Sequence, residues 1–258
     1  MRNFGLARQE GSLGACAVQQ RVEFTPPLIG NSVVRRALPV VLSVVAGTVD
    51  VIAFLALGGL FTAHITGNIV ILAARFVAGE QAPLSHLLAV PIFMLMLVLT
   101  RLLAAWLERA RIPSLTPLLL LELVLLSGFF AIGLAAGPYV DPNAGIMVLG
   151  GMLGVGAMAV QNALVRLSLA GAPSTAVMTT NVTVLAMDIG EILLAQDANR
   201  AAKARERARK TGTVIAGFVI GCAVGAASEH MFGLQSLAVP IGFASFALVL
   251  SLVASPWR

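Results

Sequence analysis

Asp50 lies near the middle of an apolar run, where a carboxylate costs about 2.5–3.5 kcal/mol to insert into a bilayer. Something in the fold must offset that cost, and a buried carboxyl group of this kind is suited to carrying a proton near neutral pH. The competing reading is a protonated Asp50 held by Thr48, Thr66 or Asn68, with no proton movement. His64 lies two positions before Thr66 and titrates close to physiological pH when solvated, although a lone histidine at a helix end also serves as a cap or an interface group. No second histidine stands at metal-binding spacing from it, so no metal and no other cofactor is expected. Thr66 and Asn68 in the first half of the chain, and Gln161, Asn162, Thr179 and Asn181 in the second, add hydroxyls and amides able to hydrogen-bond a solute. With Asp50 and His64 they form the expected substrate-binding set. No nucleophile stands beside a base, so no catalytic residue is expected and the chain is read as a non-enzyme.

These side chains sit in 258 residues that are 58% hydrophobic and 11% charged, with a mean hydropathy of +0.93. A soluble domain runs to about 25% charged, so a soluble globular protein is excluded. The net charge of +5 comes from short basic clusters between apolar runs, which argues against a nucleic-acid partner. Cys16 and Cys222 show no CxxC spacing and no nearby histidine, so neither a disulfide framework nor a zinc set is expected. Residues 1–35 mix Arg2, Arg8, Arg21 and Arg35 with Glu10, Glu23 and Pro26-Pro27, and read as a disordered cytoplasmic tail. The first apolar run is too long for a signal peptide and lacks a small-residue cleavage pattern. Residues 36–255 then form a single membrane domain.

Eight apolar segments can be marked, at about 37–60, 62–78, 84–107, 115–136, 144–167, 175–195, 211–230 and 234–253. The second is short, and it opens, like the sixth, with residues too polar for a lipid-exposed helix end. If these two enter and leave on one side, six segments span the membrane. The N-terminal tail, Arg109, Arg111, Arg166, the basic run from Arg200 to Lys210 and Arg258 then share the cytoplasm. Of the 17 basic residues only Arg75 and Arg101 fall elsewhere, and Arg101 can snorkel. The outer loops 79–83, 137–143 and 228–233 contain no Lys or Arg. The alternative of eight crossings moves Arg109, Arg111 and Arg166 outside, so the positive-inside rule favours six. Both arrangements put the two termini in the cytoplasm of a bacterial inner-membrane protein.

Shifting the chain by 113 positions aligns TAHITGNIVILA, 62–73, with TAVMTTNVTVLA, 175–186, with six of twelve positions identical. Repeated Thr and Asn are costly in an apolar chain, so the repeat is read as real, with halves at about 37–136 and 144–253. Three spans and one short element per half make the halves inverted, the architecture of many secondary transporters. A helix that begins inside the membrane leaves amide N–H groups that lipid cannot satisfy. Thr and Asn side chains are expected to cap them, with Gly67 permitting a tight turn or a close approach and Thr180 in the second half being less permissive. Two such starts would bring the positive ends of two helix dipoles to a shared cavity. Packing glue between helices is the bland alternative for the same residues.

Gly47-Thr48-Val49-Asp50, Phe54, Gly58-Gly59, Phe61 to His64, Thr66-Gly67-Asn68, Gln161-Asn162-Ala163 and Thr175 to Asn181 together resemble the YoaK family of bacterial multi-pass membrane proteins, over about residues 35–255. The resemblance implies a membrane location and a fold, and supplies no substrate. Asp188 and Glu191 share one helix face and read as a solvated cytoplasmic end. Glu122 is expected to pair with Arg109 or Arg111, and the run from Arg200 to Lys210 to be a topology-setting loop. Gly217 to Gly225 carries small-xxx-small spacings that permit close helix packing. The fold class is therefore an all-α polytopic membrane protein, an inverted repeat with six spanning and two short membrane-inserted helices. The expected function is a secondary transporter or permease for a small polar or anionic solute, proton-coupled through Asp50, with the lipid bilayer and that solute as partners. A non-transporting scaffold or sensor is the alternative, and an intramembrane enzyme a weaker one.

Overall fold

A computed structural model describes residues 32–81, 83–137, 141–194 and 197–254. Residues 1–31 with Cys16, residues 138–140 of the segment expected outside the membrane, and Arg258 lie outside the described residues. Eight α-helices follow one another: α1 Ser32–Ala56, α2 Ile65–Val77, α3 Leu84–Arg109, α4 Leu115–Ala136, α5 Gly145–Ser168, α6 Met178–Leu194, α7 Ala198–Phe232 and α8 Ala238–Ala254. A 3-10 turn, Gly233–Leu237, joins the last two. Five stretches are long and apolar enough to cross a membrane, namely Val34–Ala56, Leu84–Arg109, Leu115–Ala136, Gly145–Ser168 and Ala198–Val253, the last holding both α7 and α8. The protein is a multi-pass membrane protein. α2 has 13 residues, and α6 and α8 have 17 each, about 20 and 26 Å, against a hydrocarbon core of about 30 Å.

Helices α1 and α5 form the centre: 72% of the apolar window of each is buried, against 17% for α3 and 33% for α4. Around them α1 packs on α7 and α8, α5 packs on α3 and α4, α2 lies on α3, and α6 lies on α7. Exchanging α1–α4 for α5–α8 turns each of these pairings into another. The starts of α5 and α6, Gly145 and Met178, fall 113 residues after those of α1 and α2, Ser32 and Ile65. On the outer helices Met94, Val98, Leu102, Val124, Ile220 and Val249 remain exposed, as lipid-facing side chains should.

The contact between α1 and α7 is close because its glycines leave room for backbone. A Cβ at Gly217, Gly221 or Gly225 would run into the carbonyl oxygen of Val40, Val44 or Thr48, and one at Gly47 into that of Phe218. The Thr48 hydroxyl, lying in this seam, is hydrogen-bonded to the carbonyls of Val44 at 2.7 Å and Gly221 at 3.1 Å. It is therefore not the partner of Asp50 expected from sequence. Two further expectations fail nearby. The basic run from Arg200 to Lys210 is helical, not a loop: α7 is 35 residues long, about 52 Å. Ala, Arg, Lys and Glu are strong helix formers, and Asp197 caps the start by accepting from the Asn199 amide at 2.9 Å. Glu122 does not reach Arg109 or Arg111. It is fully buried on the α4 stripe of Leu115, Leu118, Leu119, Leu126 and Phe129, with no hydrogen-bond partner on either oxygen.

The short helices begin where side chains close the preceding loops. Asn68, buried at the start of α2, pairs with both polar groups of Phe61: its Oδ1 accepts from the amide at 2.9 Å and its Nδ2 donates to the carbonyl at 2.8 Å. Asn181, 113 positions on, donates to the carbonyl of Ser174 at 2.6 Å, and Ser174 is likewise 113 positions after Phe61. These asparagines hold the loop backbone and do not cap the first helical amides, as the sequence had led us to expect; the α2 start has no side-chain cap. Gly67 is required by the Phe61 ring, since a Cβ there would lie 2.8 Å from its Cδ2. That ring is itself stacked on Phe54, with centroids 4.8 Å apart. In the second half the small Ser174 takes the place of Phe61, which is why Thr180 is accommodated where the first half needs glycine.

Gly67→Ala should therefore cost about 1–3 kcal/mol, seen as a lower thermal unfolding temperature of the detergent-purified protein. In a Phe61→Ala background the same change should cost less than about 0.5 kcal/mol. Equal losses in both backgrounds would show that the ring is not what excludes a side chain.

Candidate functional site

After α1 the chain reverses through Gly58 and Gly59, both at positive φ (+64° and +93°), a conformation that glycine adopts without strain. The returning strand of loop runs back along α1 and presents Thr62, Ala63 and His64 to Asp50. The carboxylate is 3% exposed. Its Oδ1 accepts from the Thr62 amide at 2.7 Å, the Ala63 amide at 2.7 Å and the Thr62 hydroxyl at 3.1 Å, while Oδ2 lies 2.7 Å from His64 Nδ1. One acid thus satisfies two backbone amides that no helix serves, and they in turn stabilise it. Neither Thr66 nor Asn68 holds it. The His64 side chain is 35% exposed against 4% for Asp50, so the histidine is the open face of the pair. Its ring meets Phe218 edge-on at 5.3 Å.

The second loop is held by the same logic with different chemistry. Gln161 of α5 donates to the Thr175 hydroxyl at 2.8 Å and to the Leu42 carbonyl of α1 at 3.0 Å, and Ser43 donates to the Thr175 carbonyl at 3.2 Å. Ser174 accepts from the Val177 amide at 3.0 Å. Gln161 donates here, to a hydroxyl and to a carbonyl of α1, where Asp50 accepts from the amides of its loop.

Between the two loops is a cavity of about 690 Å³, at which the starts of α2 and α6 meet. Of the residues singled out from sequence, His64, Thr66, Asn162 and Thr179 line it. Asp50 stands behind His64, whereas Asn68, Gln161 and Asn181 are absent from the wall and hold backbone. The wall also includes Arg166, which sequence reasoning counted only as a topology charge, and Ser174 and Thr180. Phe93, Leu97, Val165 and Leu169 make the rest largely apolar. The signal for Arg166 was its spacing from Asn162, four residues or one helical turn, which places both on one face of α5. The N-terminal ends of α2 and α6 and the Arg166 side chain give this space a positive bias. Among the described residues no three His, Cys, Asp or Glu side chains come together to hold a metal ion.

The far end of α6 is clamped to α7. Arg207 donates to Asp188 Oδ1 from Nε at 3.0 Å and from Nη2 at 2.7 Å, and to Glu191 at 2.8 Å; Arg200 lies 3.6 Å from Glu191. Asp188 is buried here and not the solvated group expected from sequence. Its hydrogen bonds hold the Arg207 guanidinium above its ordinary range, so the arginine stays charged at any physiological pH.

No curated protein and no solved structure matches the chain. A family described as a protein of unknown function, DUF1275, matches residues 38–250, and the chain belongs to that family.

Proposed function

We propose that the protein is a secondary transporter or permease for a small polar or anionic solute, and that its two halves form an inverted repeat in the bacterial inner membrane. The cavity at which the two short helices meet, with His64 on its wall and Asp50 behind it, carries this reading. Six helices, α1, α3, α4, α5, α7 and α8, then cross the membrane, and α2 and α6 start near its middle and run back to opposite faces. The pairing of helices that survives exchange of the halves supports the repeat. The narrower likeness to the YoaK proteins, carried by Gly47 to Asp50 and Thr66 to Asn68, belongs to the same proposal.

In this arrangement the termini, Arg109, Arg111 and the start of α7 are cytoplasmic. Residues 169–172, which line the cavity, would lie on that side. A solute entering from the cytoplasm would meet Arg166, Asn162 and Thr179 before His64. With Nδ1 committed to Asp50, the ring has its other nitrogen left for solute. A proton shared by the Asp50 and His64 side chains would then couple to occupancy, because a positive ring favours an anion beside it. A scaffold or sensor reading does not explain a space of about 690 Å³ between two helix starts. An enzyme reading is weaker: no Ser, Thr or Cys is hydrogen-bonded to the His64 ring among the described residues, and the Ser85–His86 contact at 3.3 Å is buried and not on the cavity wall.

Uptake into proteoliposomes, measured against a panel of small carboxylates, phosphate, polyols and amides, should reveal at least one transported solute. Asp50→Asn should lower its rate roughly tenfold or more, the worth of a hydrogen bond to a charged group, and flatten its dependence on pH. Unchanged uptake and pH profile in Asp50→Asn would rule out coupling through this pair. For topology, single cysteines at Gln81→Cys and Arg109→Cys, with Cys16 and Cys222 replaced by Ser, should be labelled from outside and inside respectively. The reverse pattern would require eight crossings.

A further inference from the structure

Glu122 is the fully buried acid that the proposed site does not use. It is 0% exposed, and neither carboxyl oxygen has a hydrogen-bond partner. One turn before it, Leu118 and Leu119 pack with Leu38 and Leu42 of α1, Val160 and Leu164 of α5, and Ala247 of α8. One turn after it, Leu126 packs with Val45 and Ala46 of α1, Ala157 of α5 and Ala244 of α8. Three helices therefore enclose the carboxyl group in hydrocarbon. Their titratable groups are few: Arg35, Arg36 and Asp50 on α1, Arg166 on α5 and none on α8, and α4 has no other. Asp50 is already bonded to the first loop and Arg166 lines the cavity. The polar neighbour that does belong to this layer is Gln161, whose Nε2 is bonded to Leu42 and whose Oε1 is also buried without a partner. That atom is an acceptor, which can serve a carboxylic acid O–H and repels a carboxylate.

From this juxtaposition we infer that Glu122 is a proton-binding site, separate from Asp50 and His64, occupied while α4 is packed against α1, α5 and α8 and emptied only when that packing opens. An ionised carboxyl group in this position would be a charge without a donor or counter-ion, which a closed hydrocarbon interior does not tolerate. A metal cation in place of the proton would need several oxygen ligands at once, and the surrounding helices bring no second carboxylate to Glu122. The site stands whether or not a solute is transported, and its test needs no substrate.

The test is infrared spectroscopy of the full chain in lipid nanodiscs, together with hydrogen exchange. At neutral pH the wild type should show a carboxylic-acid carbonyl band that is lost in Glu122→Gln and kept in Asp50→Asn. As the pH is raised the band should disappear, and backbone exchange in α4 should rise above that of Glu122→Gln over the same range. If Glu122→Gln does not fold, wild type carrying carbon-13 glutamate still decides, because a shifted band belongs to a glutamic acid. The other glutamates described, Glu80, Glu108, Glu191, Glu206 and Glu229, are exposed or half-buried. A spectrum without the band, a band that survives Glu122→Gln, a band abolished by sodium at constant pH, or loss of the band with no change in α4 exchange would each overturn the inference.

Discussion

A peptide amide left inside hydrocarbon must find an acceptor within the protein, and two loops of this chain end there. Residues 57–64 and 169–177 fold back from the ends of the two central helices; their amides donate to Asp50, Asn68 and Ser174, while Gln161 and Asn181 donate to the Thr175 hydroxyl and the Ser174 carbonyl. This obligation fixes where α2 and α6 begin, and the beginnings of α2 and α6 define the cavity. It also divides the polar residues of the membrane domain into two groups. Asp50, Asn68, Gln161 and Asn181 are buried and hold the loops, while Ser174 and Asn162, which also bond backbone, line the wall with His64, Thr66, Thr179 and Arg166.

The sequence made the outline of this arrangement visible. The short second and sixth segments, the shift of 113 and the cost of paired Thr and Asn in apolar surroundings all follow from residue types and spacing. What each polar side chain bonds was not visible, because it depends on how far a loop doubles back: Asn68 reaches seven residues back to Phe61, not forward into its own helix. The same limit hid the reason for Gly67, which is an aromatic ring six positions earlier. Glu122 was misread for a different cause. α4 is apolar on every side, so no periodicity marks its buried face, and an acid on such a helix looks as free to turn toward Arg109 as toward the core. The basic start of α7 was read as a loop because the apolar run stops near Thr211, although helix formers continue through it.

Close packing gives this frame its rigidity. Between α1 and α7 the glycines let backbone touch backbone, so the helix that bears Asp50 and the helix that receives the α6 clamp are packed into one body. The clamp of Arg207 on Asp188 and Glu191 then ties the far end of α6 to the same body. Helix α2 has no equivalent: position 75, the counterpart of Asp188, is an arginine that donates to the Gly58 carbonyl at 2.8 Å. α2 is held at its start and anchored to its own loop, which leaves its remaining contact the lateral one with α3.

The pairing of helices survives exchange of the halves, and the chemistry of the cavity wall does not. The positions 113 residues after Asp50 and His64 are Ala163 and Val177, and both lie on the cavity wall. One half therefore meets the cavity with an imidazole backed by a carboxylate, the other with alanine and valine. A symmetric pair of helix starts offers the same dipole from either side and gives a bound group no reason to prefer one. A single titratable pair breaks that equivalence, since adding or removing its proton changes the charge at the α2 start alone. In the proposed transporter, an inverted repeat, this asymmetry is what would tie direction to protonation. It requires only that the loop amides which hold Asp50 stay in place while the proton on His64 comes and goes.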